Sequence, residues 1–255
     1  MADEILATPS GAILELRLNR PDKKNAITAA MYAALADALA EAAEDPQIRV
    51  VTILGREGMF SSGNDLRDFQ QSPPLDPNQP VFRFLSAISS FSKIIIAGVE
   101  GPAVGVGTTM LLHCDLVLAA PSAMFSMPFV NLGLVPEAAS SLLLPELIGP
   151  QRAAKHLLLG DPFDAETALR YGLVTDIVAG DLEARVHSVA ERIAAKPPEA
   201  VRLTKRLIRS NQATVQARIE EEARLFAGRL TSAEAAEAFA AFFEKRPPNF
   251  GWRPR

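Results

Sequence analysis

Residues 126–144, SMPFVNLGLVPEAASSLLL, carry a single charge, Glu137, with no basic residue near it. A carboxylate in apolar surroundings is paired, hydrogen-bonded or pushed upward in pKa, and the last of these suits a group that moves protons near neutral pH. A second reading stays open. Glu137 follows Pro136 and precedes a helix-like run, where it would meet the positive end of a helix dipole. Two small-residue turns offer complementary chemistry: FSSGND at 60–65 and AVGVGT at 103–108. Glycine lets a backbone approach a ligand closely, and a helix start leaves N–H donors free to meet negative charge. Together such turns can hold one oxyanion; separately, each reads equally as a tight strand-to-helix turn. Other chemistries lack their residues. There is no G-x-S-x-G elbow, and the glycines at 101–107 come without the lysine of a P-loop or a full G-x-G-x-x-G.

The surrounding elements follow from periodicity. Residues 12–18 alternate as a half-buried strand, and NRPDKKN breaks the pattern as a loop. Thr28 can cap a helix in which Met31, Leu35 and Leu39 share a face. The runs at 49–55 and 93–101 suit buried parallel strands; between them, a proline-rich loop at 70–80 leads into a helix. Further on, GVGTTMLLHCD reads as a glycine turn into a helix, LVLAA as a strand, DAETALRYGL as a helix and VTDIV as a strand. Strands alternating with helices predict an α/β fold with a mainly parallel sheet. From about Asp181 the chain reads as helical, and Arg202, Lys205, Arg206 and Arg209 share one helical face, read as solvated. No internal repeat is evident.

A chain of 255 residues, 48% of them apolar, can bury a sizeable core. A net charge of −4 without a basic block argues against nucleic acid. The single Cys114 permits no internal disulfide, and His113, His156 and His187 lack ligand spacing, so no metal is expected. The N-terminus is acidic and alternating, unlike a secretory signal, and no run of about 18 apolar residues occurs. A cytoplasmic protein that neither spans a membrane nor binds nucleic acid is expected.

LNRPDKKNAIT, FSSGNDLRDF, IIIAGVEGPAVGVGTTMLLHCDLVLA, LGLVPE and KPPEAVRLTKRLI, in this order and spacing, resemble the enoyl-CoA hydratase/isomerase (crotonase) superfamily over almost the whole chain. The resemblance implies a spiral of β-β-α units over residues 1–195. It further implies a helical C-terminal region, 196–255, that covers the active site and joins a homotrimer or dimer of trimers. The implied substrate is an acyl-CoA thioester of fatty-acid or related metabolism, with coenzyme A part of the substrate and no separate cofactor. The thioester oxygen would be held by backbone N–H groups at positions matching Asn64 and Val106. Lys24, Asn25 and Ala26 match the segment along the adenine and pantetheine; Ser62, Gly63, Asp65, Leu66 and Gly105 match positions near the thioester. For Lys24 a solvated side chain, and for Asp65 a turn-fixing role, are equally good readings.

A typical hydratase of this family carries two further glutamates that orient water, at positions matching Thr109 and Phe129. Neither is a general base at neutral pH. PFVNLGLVPEAASS is instead similar to the 3,2-enoyl-CoA isomerase branch, which has one glutamate at the position of Glu137. Glycines are frequent there where this chain has Ala138 and Ala139. Phe125 and Phe129 are expected in the core or on the acyl side. Isomerisation is the expected activity. Hydration, another single-carboxylate reaction on an acyl-CoA, and catalytically idle acyl-CoA binding are the alternatives.

Overall fold

The computed structural model describes residues 3–71 and 79–251, so most of the expected proline-rich loop lies outside the described residues. Strands β1 (Ile5–Ser10) and β2 (Ile13–Leu18) form an antiparallel hairpin. From β2 on, every pairing in the large sheet is parallel: β3 (Val50–Leu54), β4 (Ile94–Val99), β6 (Leu116–Ala119) and β9 (Asp176–Ile177), in the order β1-β2-β3-β4-β6-β9. A small second sheet holds β5 (Pro102–Val104), β7 (Met124–Ser126) and β8 (Phe163–Asp164).

The apolar runs of β3 and β4 are continuous because both faces are covered. Val51, Ile53, Ile95 and Ala97 join the main core with Leu16, Leu18 and the α1 (Ala29–Glu44) residues Met31, Leu35 and Leu39. Their alternate neighbours Val50, Leu54, Ile94 and Ile96 meet Val186 and Ala190 of α8 (Leu182–Ala194). Thr28 caps α1, its hydroxyl accepting from the Met31 N–H at 3.2 Å.

Each pass of the chain lays one strand in the large sheet, one segment beside the small sheet, then a helix. β3 is followed by Ser61, which pairs with Ala103, and by α2 (Leu66–Gln71). β4 is followed by β5 and α4 (Val106–Thr109); β6 is followed by β7 and, after a loop, α5 (Ser140–Ile148). This is the expected spiral of β-β-α units. It delivers the ends of three successive passes, residues 61–65, 105–109 and 137–141, to one side of the molecule. Helix α3 (Pro80–Ser90) packs on α1, and α6 (Pro150–Leu159) and α7 (Ala165–Tyr171) complete the core domain.

The C-terminal region is helical as read: α9 (Pro198–Ile208), α10 (Gln212–Leu230) and α11 (Ala233–Glu244). Its basic face is solvated only at Arg202 and Arg206, which are exposed; Lys205 and Arg209 turn inward. Lys205 is 8% exposed, and its ammonium donates to Asp115 at 2.7 Å and to the Lys93 carbonyl at 2.6 Å. Arg209 donates to the carbonyls of Leu112 and Cys114 and pairs with Asp115 at 3.4 Å. Burying these cations is tolerable because the sheet end offers carbonyls that would otherwise be unpaired. Among the described residues no helix is long and apolar enough to cross a membrane.

Candidate active site

The two small-residue turns meet backbone to backbone. Ser61 N–H donates to the Pro102 carbonyl at 3.0 Å, and Val104 N–H donates to the Ser61 carbonyl at 2.9 Å. Gly63 has φ +89°, and a Cβ there would lie 2.8 Å from the Val104 carbonyl oxygen, so only glycine fits. The Gly63 carbonyl and the Asp65 N–H both bond Ile27, which in a parallel bridge turns the intervening Asn64 N–H to the opposite edge. Val106 opens α4 directly after Gly105 (φ +55°), so its N–H has no carbonyl a turn earlier. Among the described residues, neither the Asn64 nor the Val106 N–H has an acceptor.

Glu137 lies at the third pass. It is 5% exposed, and its Oε1 has no hydrogen-bond partner. Burial, followed by the nearby Glu222 carboxylate, pushes its pKa up to about 8, against the pull of a hydrogen bond from the Asn64 side chain. That amide is oriented by Tyr32, a buried residue whose hydroxyl donates to Asn64 Oδ1 in a short hydrogen bond. Glu137 does not cap the following helix. Helix α5 starts at Ser140, and its first N–H groups are met by Glu222 instead, at 2.6 Å from Ala139 N and 2.9 Å from Ser141 N. The intervening Ala138 and Ala139 have φ +59° and +55°. This left-handed region costs a residue with a Cβ about 1–2 kcal/mol. His113, its pKa lowered to about 4 by burial, is neutral and bonds the Ala138 carbonyl through Nε2 at 2.8 Å.

A cleft of about 1240 Å³ runs past these turns. Lys24, Ala26, Ser62, Gly63, Asn64, Asp65, Leu66, Gly105 and Phe129 all line it. Val106 and Glu137 do not, being buried behind it, and neither does Asn25, which is fully buried, its side-chain amide accepting from Arg20 N–H and donating to the Met59 carbonyl, so that it ties the loop rather than facing a ligand. Asp65 is engaged by Arg20 at 2.7 Å and by the Arg67 and Asp68 N–H groups, which fixes the start of α2. Phe129 is 4% exposed, between core and cleft, whereas Phe125 stacks on Phe163 in the core. Thr109 is fully buried. The far wall of the cleft comes from α10 and α11, with Phe226, Ala238, Ala241 and Phe242. Phe69 and Phe226, edge to face at 6.2 Å, also line a cavity of about 10 Å³, water-sized, against which Glu137 lies with Val81, Leu85 and Ile219.

Sequence reasoning did not find Tyr32, His113, Phe226 or Glu222. A signal for the last exists: Val215, Ile219, Glu222 and Phe226 form the buried stripe of α10, so a carboxylate occupies a core position. Away from the cleft, Glu15, Glu183 and His187 bring ligand atoms within 4.8 Å of one another. The Arg17 guanidinium already bridges the two carboxylates there, at 2.8 and 2.7 Å.

The model of one family, described as enoyl-CoA hydratase/isomerase, matches residues 8–253. A rat (Rattus norvegicus) protein named enoyl-CoA delta isomerase 2 is 36% identical over 95% of this chain; the chain spans only 64% of that relative's length. An Escherichia coli protein named 2,3-dehydroadipyl-CoA hydratase is 31% identical over 98% of this chain and 99% of its own. A crystal structure described as an enoyl-CoA hydratase/isomerase from Pseudoalteromonas atlantica superposes with a TM-score of 0.94 at 46% identity, covering 98% of this chain and all of that one.

Proposed function

We propose, on the premise that this chain belongs to the enoyl-CoA hydratase/isomerase family, that it converts a 3-enoyl-CoA to a trans-2-enoyl-CoA with Glu137 as its one acid/base. The observation that carries this reading is a buried carboxylate that keeps one oxygen free and is hydrogen-bonded by the side chain of Asn64, whose backbone N–H, like that of Val106, has no acceptor among the described residues. The positions that match the two water-orienting glutamates of a hydratase hold the hydroxyl of Thr109 and the ring of Phe129.

In the proposed reaction Glu137 takes a proton from C2, and the C–H electron pair flows into a dienolate whose oxygen carries the charge. The Asn64 and Val106 N–H groups meet that oxygen, and such preorganised donors lower a barrier by about 3–4 kcal/mol each. Glu137 then returns the proton to C4, so the double bond moves from C3–C4 to C2–C3 with no water consumed. A pKa near 8 keeps the carboxylate basic enough to deprotonate an activated carbon and lets its acid form give the proton back.

The likeness to a protein named as a hydratase supplies the competing reading, addition of water to a 2-enoyl-CoA. Incubation with trans-3-hexenoyl-CoA and with trans-2-hexenoyl-CoA, followed by mass and chromatography, separates them. The expected result is 3-to-2 conversion at constant mass, lost by about a hundredfold or more in Glu137→Gln. A product heavier by one water, or a fully active variant, would sink the proposal.

A further inference from the structure

The Glu137-bearing turn is held in an unfavourable shape by side chains from distant parts of the chain. Ala138 and Ala139 are both left-handed, and neither is glycine. Both carboxylate oxygens of Glu222 are engaged by this turn, one at Ala139 N–H and one at Ser141 N–H. Arg218, one helical turn earlier on α10, donates to the Ser141 hydroxyl at 3.1 Å, and His113 holds the Ala138 carbonyl from the other side. Glu222 is 4% exposed, and a carboxylate is buried there only because two N–H donors meet it.

We infer that Glu222 is a positioning residue: it clamps the left-handed turn that aims Glu137 and keeps a negative charge behind that carboxylate. The inference rests on the reading of Glu137 as the base. Burial raises the Glu222 pKa as well, but both its oxygens accept N–H groups, which favours its charged form, whereas Glu137 keeps one oxygen unpartnered. The other titratable or charged groups facing the pair are Tyr32 from α1, His113 from the turn after α4 and Arg218 from α10. Tyr32 and His113 are neutral at neutral pH, and Arg218 is a permanent cation on the Glu222 side, so Glu222 is the group whose charge raises the proton affinity of Glu137.

Glu222→Gln keeps the size, removes the charge and leaves one acceptor oxygen for the two N–H donors; Glu222→Leu removes both acceptors. The carboxyl carbon of Glu137, followed by carbon-13 NMR against pH in the full-length protein, is expected to titrate at least about half a unit lower in Glu222→Gln than in wild type. The acid limb of kcat/KM is expected to move the same way. Glu222→Leu is expected to lose roughly tenfold or more in kcat with KM changed less than about twofold, because the cleft that binds the substrate is not altered. Coincident titrations of Glu137 in wild type and Glu222→Gln would overturn the inference, as would wild-type kcat in a folded Glu222→Leu. If Glu222→Leu fails to fold, the Glu222→Gln titration still decides. Glu137→Gln is assayed in parallel: full activity there sinks the base assignment, whereas the NMR titration tests the clamp whatever reaction is catalysed.

Discussion

At Glu137, function is opposed to stability. A folded-state pKa near 8 against an ordinary 4.5 means that the folded protein holds this proton more tightly than the unfolded chain does. Its stabilising contribution is complete below about 4.5 and is lost as pH rises through about 8, while the base form needed for catalysis grows over the upper part of that range. Glu137→Gln is therefore expected to melt higher than wild type at pH 8 and about equally at pH 4, with differences of roughly 2–4 °C per kcal/mol recovered. Calorimetry at the two pH values checks this; a lower Tm at pH 8 would contradict the burial argument. The wild-type kcat/KM should climb with pH toward a plateau above about 8. Glu137 was legible in the sequence because its charge interrupts an apolar run. Glu222 was harder to see: its one signal, the helical spacing it shares with Val215, Ile219 and Phe226, is masked in IEEEARLF by the two glutamates before it.

At the scale of elements, the site depends on backbone turns whose shape side chains cannot imitate. Gly63→Ala would force φ +89° on a residue with a Cβ and press that atom against the Val104 carbonyl. A loss of about 1–3 kcal/mol in stability is expected, with a larger fall in kcat than the stability change explains, because Asn64 N–H shifts with it. Urea unfolding and kinetics on the same preparation test the two parts. Lys205→Met should cost about 3–5 kcal/mol, since Asp115 loses its close cation and keeps only the Ile95 N–H and the longer Arg209 contact, while the Lys93 carbonyl loses the ammonium. A change below about 1 kcal/mol would restore the solvated reading of that face. The long apolar strands and the helices were legible because periodicity encodes them directly. Strand β1 was not, since ILATPS is largely exposed and carries a proline. The two- and three-residue strands β5, β7 and β8 exist through tertiary pairing and leave no pattern of their own.

At the scale of the molecule, net charge and local charge differ in sign. The chain carries −4 overall, yet Lys23, Lys24, Arg67 and Lys245 line the cleft. For a substrate bearing the phosphates of coenzyme A, kcat/KM should fall severalfold between low salt and about 0.5 M as the rim is screened, with kcat nearly constant. Stopped-flow and steady-state rates over that range test it, and a flat profile would remove the rim from the binding account. The mainly parallel α/β sheet was legible from the order of strands and helices, whereas the spiral followed only from the family resemblance. The closure of the cleft by α10 and α11 likewise came only with that resemblance, because helical periodicity says nothing about where a helix docks. That docking has a temporal meaning. Glu222 lies 83 residues downstream of the Ala139 amide it holds. A ribosome adding about 5–20 residues per second reaches it roughly 4–17 s later. The sheet and Glu137 thus emerge from synthesis well before the turn is braced, and a nascent or prematurely ended chain displays its carboxylate without being able to use it.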